Sequence, residues 1–152
     1  MSNTFNKAKE TFESGLLCAE SVLQVIAEEM DIKSELIPCI ASGFCSGMAR
    51  TNNMCGALTG GIIALNLVSG RENAAESLDN NYAAVQKLIS EFENEFGSSN
   101  CRELLGCDLS TEDGRETFVN DELRKDCANY VGKAAEITRS IIDDLSAPQL
   151  DQ

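Results

Sequence analysis

The stretch Cys55-Gly56-Ala57-Leu58-Thr59-Gly60-Gly61-Ile62-Ile63-Ala64-Leu65-Asn66-Leu67 is apolar nearly all the way round a helical wheel. A helix of that kind keeps no face for water and belongs in the middle of a bundle. The apolar run from Gly60 to Val68 is about half of a membrane span and contains Asn66, so it reads as a core helix and not a transmembrane one. Gly56, Gly60 and Gly61 strip side chains from part of this helix. Each glycine costs about 1 kcal/mol inside a helix, so three together need a reason. That reason is a close approach to the backbone, by a neighbouring helix or by a cofactor.

Outward from this centre the helical period continues. On the C-terminal side Leu78, Tyr82, Val85, Leu88, Ile89, Phe92 and Phe96 form an i, i+4, i+7 stripe, and Gly97 stops it at the usual C′ position. A second stripe, Leu123, Cys127, Tyr130, Val131, Ala134, Ile137, Ile141 and Leu145, runs until Pro148. On the N-terminal side Phe5, Ala8 and Phe12 lead to Ser14-Gly15, after which Val22, Ile26 and Met30 resume the pattern. Gly15 marks a break, since glycine both ends helices and tolerates the turn after them. The segment Ile37 to Met48 carries Gly43 and Gly47 and packs naturally against the central helix. Alternating strand patterns, repeats, low-complexity tracts and linkers are missing. The expected fold is all-α: one domain over residues 1–152, a helical bundle of five to six helices.

Composition narrows the function. The formal net charge is −13 and the pI about 4.3. Such a surface repels phosphate backbones and anionic lipid, which argues against nucleic-acid and membrane partners. Tryptophan is absent and aromatics are few, so aliphatic side chains must fill the core. The N-terminus, Met1 to Glu10, has no apolar signal segment, and a cytoplasmic location is expected. The chain has 7 cysteines and no histidine. No Ser-His-Asp triad, Cys-His pair or His-ligated metal can therefore exist within one chain. No carboxylate pair or phosphate-binding loop stands out, and the acidic run Asp108 to Arg115 lacks the ligand order of an EF-hand. In a reducing cytosol the thiols do not form a disulfide framework, which leaves metal binding, redox work or core packing.

The cysteines fall at telling positions. Cys55 follows Asn52-Asn53, either of which can cap a helix. Cys101 follows Ser98-Ser99-Asn100; with Asn100 as cap, Glu103 completes a capping box. Beyond a break at Gly15, Cys18 also opens a helix. A helix N-terminus lowers a cysteine pKa from about 8.5 into the reactive or ligating range. Cys127 lies instead on the apolar face of its own helix, pointing into the bundle. The ordinary alternative is that a cysteine packs as a small buried hydrophobe, and Cys39, Cys45 and Cys107 are read that way. No C-x-x-C spacing occurs. Composition and periodicity reach only a helical protein with several thiols.

At the residues Phe12 to Val22, Cys55 to Gly61, Phe92 to Gly106, and Cys127 with Tyr130-Val131, the chain resembles the redox-active proteins named for their motif, C_GCAxxG_C_C. The match in order and spacing covers most of the chain, about residues 5 to 135. The resemblance implies a helical protein with a redox role and maps the family's four cysteines to Cys18, Cys55, Cys101 and Cys127. Cys39, Cys45 and Cys107 are extra. The chain is also similar to the iron–sulfur portion of split-Soret cytochromes, but it lacks any haem attachment motif and any histidine ligand, so c-type haem is excluded.

Three functions are open at this point. In the first, four thiolates from four helices hold an iron–sulfur cluster, [2Fe–2S] favoured, or another metal, for electron transfer, with Gly56 and Gly60 making room for it. The acidic surface then implies a low potential and either a redox partner protein with a basic face or a homodimer. In the second, Cys55 is a low-pKa thiolate and Cys18, Cys101 or Cys127 resolves it. In the third, the cysteines form a structural metal site of four thiolates or only pack.

Overall fold

Residues 2–148 are described by the structure, a computed structural model. The Ser2 hydroxyl accepts from the Phe5 N–H and starts α1 (Asn3–Glu13). Gly15, at φ 131°, takes a conformation that L side chains rarely adopt and separates α1 from α2 (Cys18–Glu29). A 3-10 helix (Cys39–Phe44) leads into α3 (Cys45–Arg50), a short turn that winds left-handed from Ser46 onward. Then come α4 (Gly56–Ser69), α5 (Asp79–Phe96), α6 (Cys101–Leu105), α7 (Glu112–Asn120) and α8 (Arg124–Ser146). Among the described residues there is no strand, only an isolated bridge between Met54 and Asn100.

The helix α4 is the axle. Ala57, Leu58, Ala64 and Leu65 are fully buried, and α2, α5 and α8 pack around them. Its glycines set how closely. A methyl group at Gly60 would lie 2.4 Å from the Ala19 carbonyl oxygen of α2, and one at Gly61 would lie 2.7 Å from Thr138 Oγ1 of α8. The stripe of α5 buries Leu88 and Phe92, and Gly97 at φ 84° closes the helix at the expected residue. Tyr130 packs edge-on against Phe92 and Phe96 at the end of α5 nearest the site, with the Phe96 and Tyr130 centroids 4.8 Å apart. Tyr82, 56% exposed, falls off the core stripe. The neighbouring Asn81 is buried in its place, and its amide donates to Asn66 Oδ1 and to the Ser69 hydroxyl.

The class is all-α, as expected, but the described residues form eight helices and not five to six. The five longer ones are those the periodicity identifies. α6 is the helix whose start the Asn100 cap marks, and the additions are α3 and α7; all three are too short to show a stripe and are held by caps and turns. The domain expected over 1–152 includes residue 1 and residues 149–152, which lie outside the described residues. No helix among the described residues is long and apolar enough to cross a membrane.

Candidate functional site

Cys55 and Cys101 are placed by one backbone device. Around the Met54–Asn100 bridge the Cys55 N–H donates to the Ser99 carbonyl at 2.8 Å, and the Cys101 N–H donates to the Asn53 carbonyl at 2.9 Å. Two segments remote in sequence are thereby laid side by side, each just before a helix. Asn100 caps α6 as expected, accepting from the Glu103 N–H at 3.1 Å. The return half of the capping box is absent, because Glu103 takes the Ser98 hydroxyl. Asn52 and Asn53 do not cap α4; Cys55 itself occupies the cap position. Asn52 sits at φ 62° with its amide on Asp108 Oδ1 at 2.8 Å. That amide and the Ser110 hydroxyl hold the Asp108 carboxyl down at about 2, Ser110 contributing most.

Cys18 opens α2, as expected, with the Glu20 carboxylate accepting the Leu17 N–H at 2.9 Å. Its sulfur accepts the Ser46 N–H at 3.4 Å, from the first residue of the left-handed turn. Ser46, Gly47, Met48, Ala49 and Arg50 all have φ between 54° and 66°. That winding costs roughly 1–2 kcal/mol per non-glycine residue. It seats the turn against both sulfur-bearing segments. A methyl group at Gly47 would lie 2.6 Å from Cys101 Cβ, and one at Gly56 would lie 2.2 Å from Cys18 Sγ. Gly56 thus makes room for a site sulfur. Gly60 does not, since its bare face meets the Ala19 backbone and serves helix packing.

Cys18, Cys55, Cys101 and Cys127 line one cavity of about 250 Å³. Four separate elements supply them, with Cys127 reaching in from the first turn of α8. Tyr130 also lines it, its hydroxyl donating to the Leu104 carbonyl at 3.2 Å. Three arginines, Arg50, Arg115 and Arg124, stand around the cavity. Arg115 donates to the Leu109 carbonyl; Arg124 donates to the Phe12 carbonyl and lies 4.2 Å from the Phe12 ring centroid. Among the described residues none of the three pairs with a carboxylate, in a chain with 25 acidic residues. The cavity is therefore ringed by positive charge in a negative molecule. Ser46 and the arginines carry no spacing signal that sequence could have exposed, whereas Gly47 stood out as a glycine and Tyr130 as part of its helical stripe and of the motif. All seven cysteines are unbridged. Cys45 is buried beside Cys18, Cys107 is buried with Cys101, Leu105 and Leu109, and Cys39 is exposed.

Helix starts were expected to lower the thiol pKa values, and at two of them the reverse holds. Burial pushes Cys55 up to about 12, although the N–H groups of Ala57 and Leu58 act in the other direction. Burial pushes Cys127 up to about 12, helped by Cys101 and Asp126 and opposed by Arg124. Burial and the neighbouring Cys107 raise Cys101 to about 11. Apolar walls outweigh the helix dipole here, because an isolated thiolate loses more hydration than a few N–H groups return. Cys55 is thus a protonated thiol at neutral pH, not the low-pKa attacking thiolate of the second reading. Nor does any group of three or more Cys, Asp or Glu side chains among the described residues converge to hold a single metal ion. The sulfurs face a cavity, not a point.

The family model described as "Putative redox-active protein (C_GCAxxG_C_C)" matches residues 16–141. An uncharacterized protein of Archaeoglobus fulgidus is 29% identical over 136 residues, which span 84% of this chain and 85% of that protein. No solved structure matches significantly.

Proposed function

The chain belongs to the C_GCAxxG_C_C family of redox-active proteins, and from that premise we propose that Cys18, Cys55, Cys101 and Cys127 bind one iron–sulfur cluster, [2Fe–2S] by preference, for electron transfer in a reducing cytoplasm. One observation carries the reading: four thiols from four elements line a single cavity of about 250 Å³. The donor set suits the group, since thiolates without imidazole are the ligands of plain iron–sulfur clusters. The space suits a group larger than one ion, which would be held by pairs of thiols across the cavity and not by a tight tetrahedron. The charge suits it too, since three arginines without carboxylate partners favour the negative charge that four thiolates bring.

When bound, the cluster supplies one-electron transfer. The chain's own part is to hold and insulate it. The buried thiols surrender their protons on ligation, so uptake releases protons and strengthens with pH. The Ser46 N–H, already on the Cys18 sulfur, is a hydrogen-bond donor of the kind that raises a potential. Leu104, Leu105, Leu109 and Phe118 give the cavity an apolar wall. The redox partner we propose is a protein with a basic face, matching the acidic outer surface, or a second copy of the chain.

The test is anaerobic reconstitution of the reduced chain with iron and sulfide. Iron and acid-labile sulfide in equal amounts, with a visible charge-transfer spectrum lost on replacing Cys55 or Cys101 by serine, are the expected result. A colourless, iron-free product overturns the reading.

A further inference from the structure

The cluster reading uses four of the seven thiols and leaves Cys45 without a role. Cys45 is 2% exposed, in the wall behind Cys18. Its side chain is within hydrogen-bonding reach of Cys18, and its sulfur lies 3.7 Å from the Ala41 carbonyl. The two cysteines crowd the same bare face of Gly56. A methyl group there would sit 2.2 Å from Cys18 Sγ and 3.2 Å from Cys45 Cα. Cys18 differs from Cys45 in access: it is half-buried and opens on the cavity. Its sulfur also accepts the Ser46 N–H at 3.4 Å, which fixes it at the cavity wall. A thiol that a small molecule can reach, backed by a second thiol sealed from solvent, is the arrangement of an attacking and a resolving cysteine.

We propose that in the cluster-free protein Cys18 and Cys45 form a peroxide-sensing pair, closed by hydrogen peroxide into a Cys18–Cys45 disulfide. In the first step the Cys18 sulfur attacks one peroxide oxygen and the O–O bond breaks. Cys18 loses two electrons and becomes a sulfenic acid, and the departing oxygen leaves as water. In the second step the Cys45 sulfur attacks the Cys18 sulfur and the S–O bond breaks. The hydroxide leaves with the Cys45 proton as a second water. Two thiols and one peroxide give one disulfide and two waters. The pair does not depend on the cluster reading; only its consequence does, since the disulfide removes one of the four ligands until an external thiol reduces it.

The metal-free, reduced full chain is treated with one equivalent of hydrogen peroxide, its remaining thiols are alkylated, and it is mapped by mass spectrometry without reduction. Trypsin separates the two cysteines, cutting after Lys9, Lys33 and Arg50, and fragment spectra tell Cys45 from Cys39. The expected product is the cross-link between Cys18 and Cys45. In Cys45→Ala the Cys18 sulfenic acid has no resolving partner, and dimedone should trap it several-fold more than in wild type. Cys18 joined chiefly to Cys55, Cys101 or Cys127, or trapping unchanged by Cys45→Ala, overturns the proposal; the wild-type map decides even if the variant folds poorly. Reconstituted Cys45→Ala should keep its iron and sulfide, and loss of both would make Cys45 part of the centre and overturn its role as a separate resolving thiol. A wild-type chain that forms the cross-link but never takes up iron sinks the cluster reading and leaves this one standing.

Discussion

Gly56 and Gly60 are one turn apart on α4, and an added methyl group would fail at each for a different reason. At Gly56 the nearest atom is a movable one, the Cys18 sulfur at 2.2 Å, with the Cys45 α-carbon and the Phe44 carbonyl oxygen behind it at 3.2 Å. At Gly60 the nearest atoms are Ala19 backbone at 2.4 and 2.8 Å, which cannot rotate away. Gly56→Ala should therefore cost only about 1 kcal/mol of stability but swing Cys18 off the cavity and abolish most iron uptake. Gly60→Ala should cost more, about 2–3 kcal/mol, by prising α2 from α4, and should reduce uptake only as far as it unfolds the chain. Thermal melts beside iron-to-protein ratios check the pair, and equal loss of iron at equal stability would refute the distinction. Cys55 offers a second test. With its pKa pushed from an ordinary 9.0 to about 12, its thiolate fraction at neutral pH is about 1000-fold below that of an ordinary thiol. Iodoacetamide should label exposed Cys39 long before Cys55 in the metal-free chain, and the Cys55 rate should climb about tenfold per pH unit until near its pKa. Rapid labelling of Cys55 at pH 7 would restore the attacking-thiolate reading.

At the scale of elements, α3 is the least expected segment and the one that most shapes the site. Ala49 sits there at φ 54° and ψ 43°, exposed, in a conformation its Cβ disfavours. Ala49→Gly removes that steric penalty and gives back part of it as unfolded-chain entropy, so the expected gain is about 0.5–1 kcal/mol, a rise of roughly 1–4 °C in Tm. A fall in Tm would mean that α3 does not keep its left-handed winding. The long helices were legible because each repeats its signal: α5 shows its stripe over five turns and ends on Gly97, and α8 runs unbroken to the residues before Pro148. Gly15 and the Asn100 cap were legible because single residues fix such breaks and starts. The turn at Ser46 was not, since left-handed winding at Ser, Met and Ala runs against their local preference and is imposed by the packing of Gly47 on Cys101. Asn52 and Asn53 misled for a related reason. Both types can cap a helix, but here the Asn52 amide donates to Asp108 and the Asn53 amide donates to Thr51.

For the whole molecule, the convergence of four cysteines was legible only through the order and spacing of the motif, whereas their protonation depends on burial, which no local pattern records. That burial makes a prediction about global stability. In the folded, metal-free chain Cys55, Cys101 and Cys127 hold their protons to about 12, 11 and 12, against an ordinary 9.0 for each. Below pH 9 both folded and unfolded chains keep these protons, and stability is insensitive to them. Between about 9 and 11 the unfolded chain gives its thiol protons up while the folded chain keeps them. The folded state then binds more protons, and unfolding free energy must fall as pH rises. One such thiol contributes a slope of about 1.4 kcal/mol per pH unit. Other effects run the same way: the net charge, already −13, grows more negative with pH, and Tyr130 is raised to about 12 by burial. Comparison with Cys55→Ala isolates the thiol, because the variant keeps the charge and the tyrosine. Urea unfolding from about pH 8 to about pH 11 should show the wild type losing stability more steeply, by about 1.4 kcal/mol per pH unit above pH 9. The two curves should run parallel below it. In the cluster-loaded chain the same thiols carry no proton to hold, so the wild-type curve should lose this extra slope. Parallel curves for wild type and Cys55→Ala across the whole range would mean that Cys55 is already ionised when folded, against the burial that keeps it protonated here.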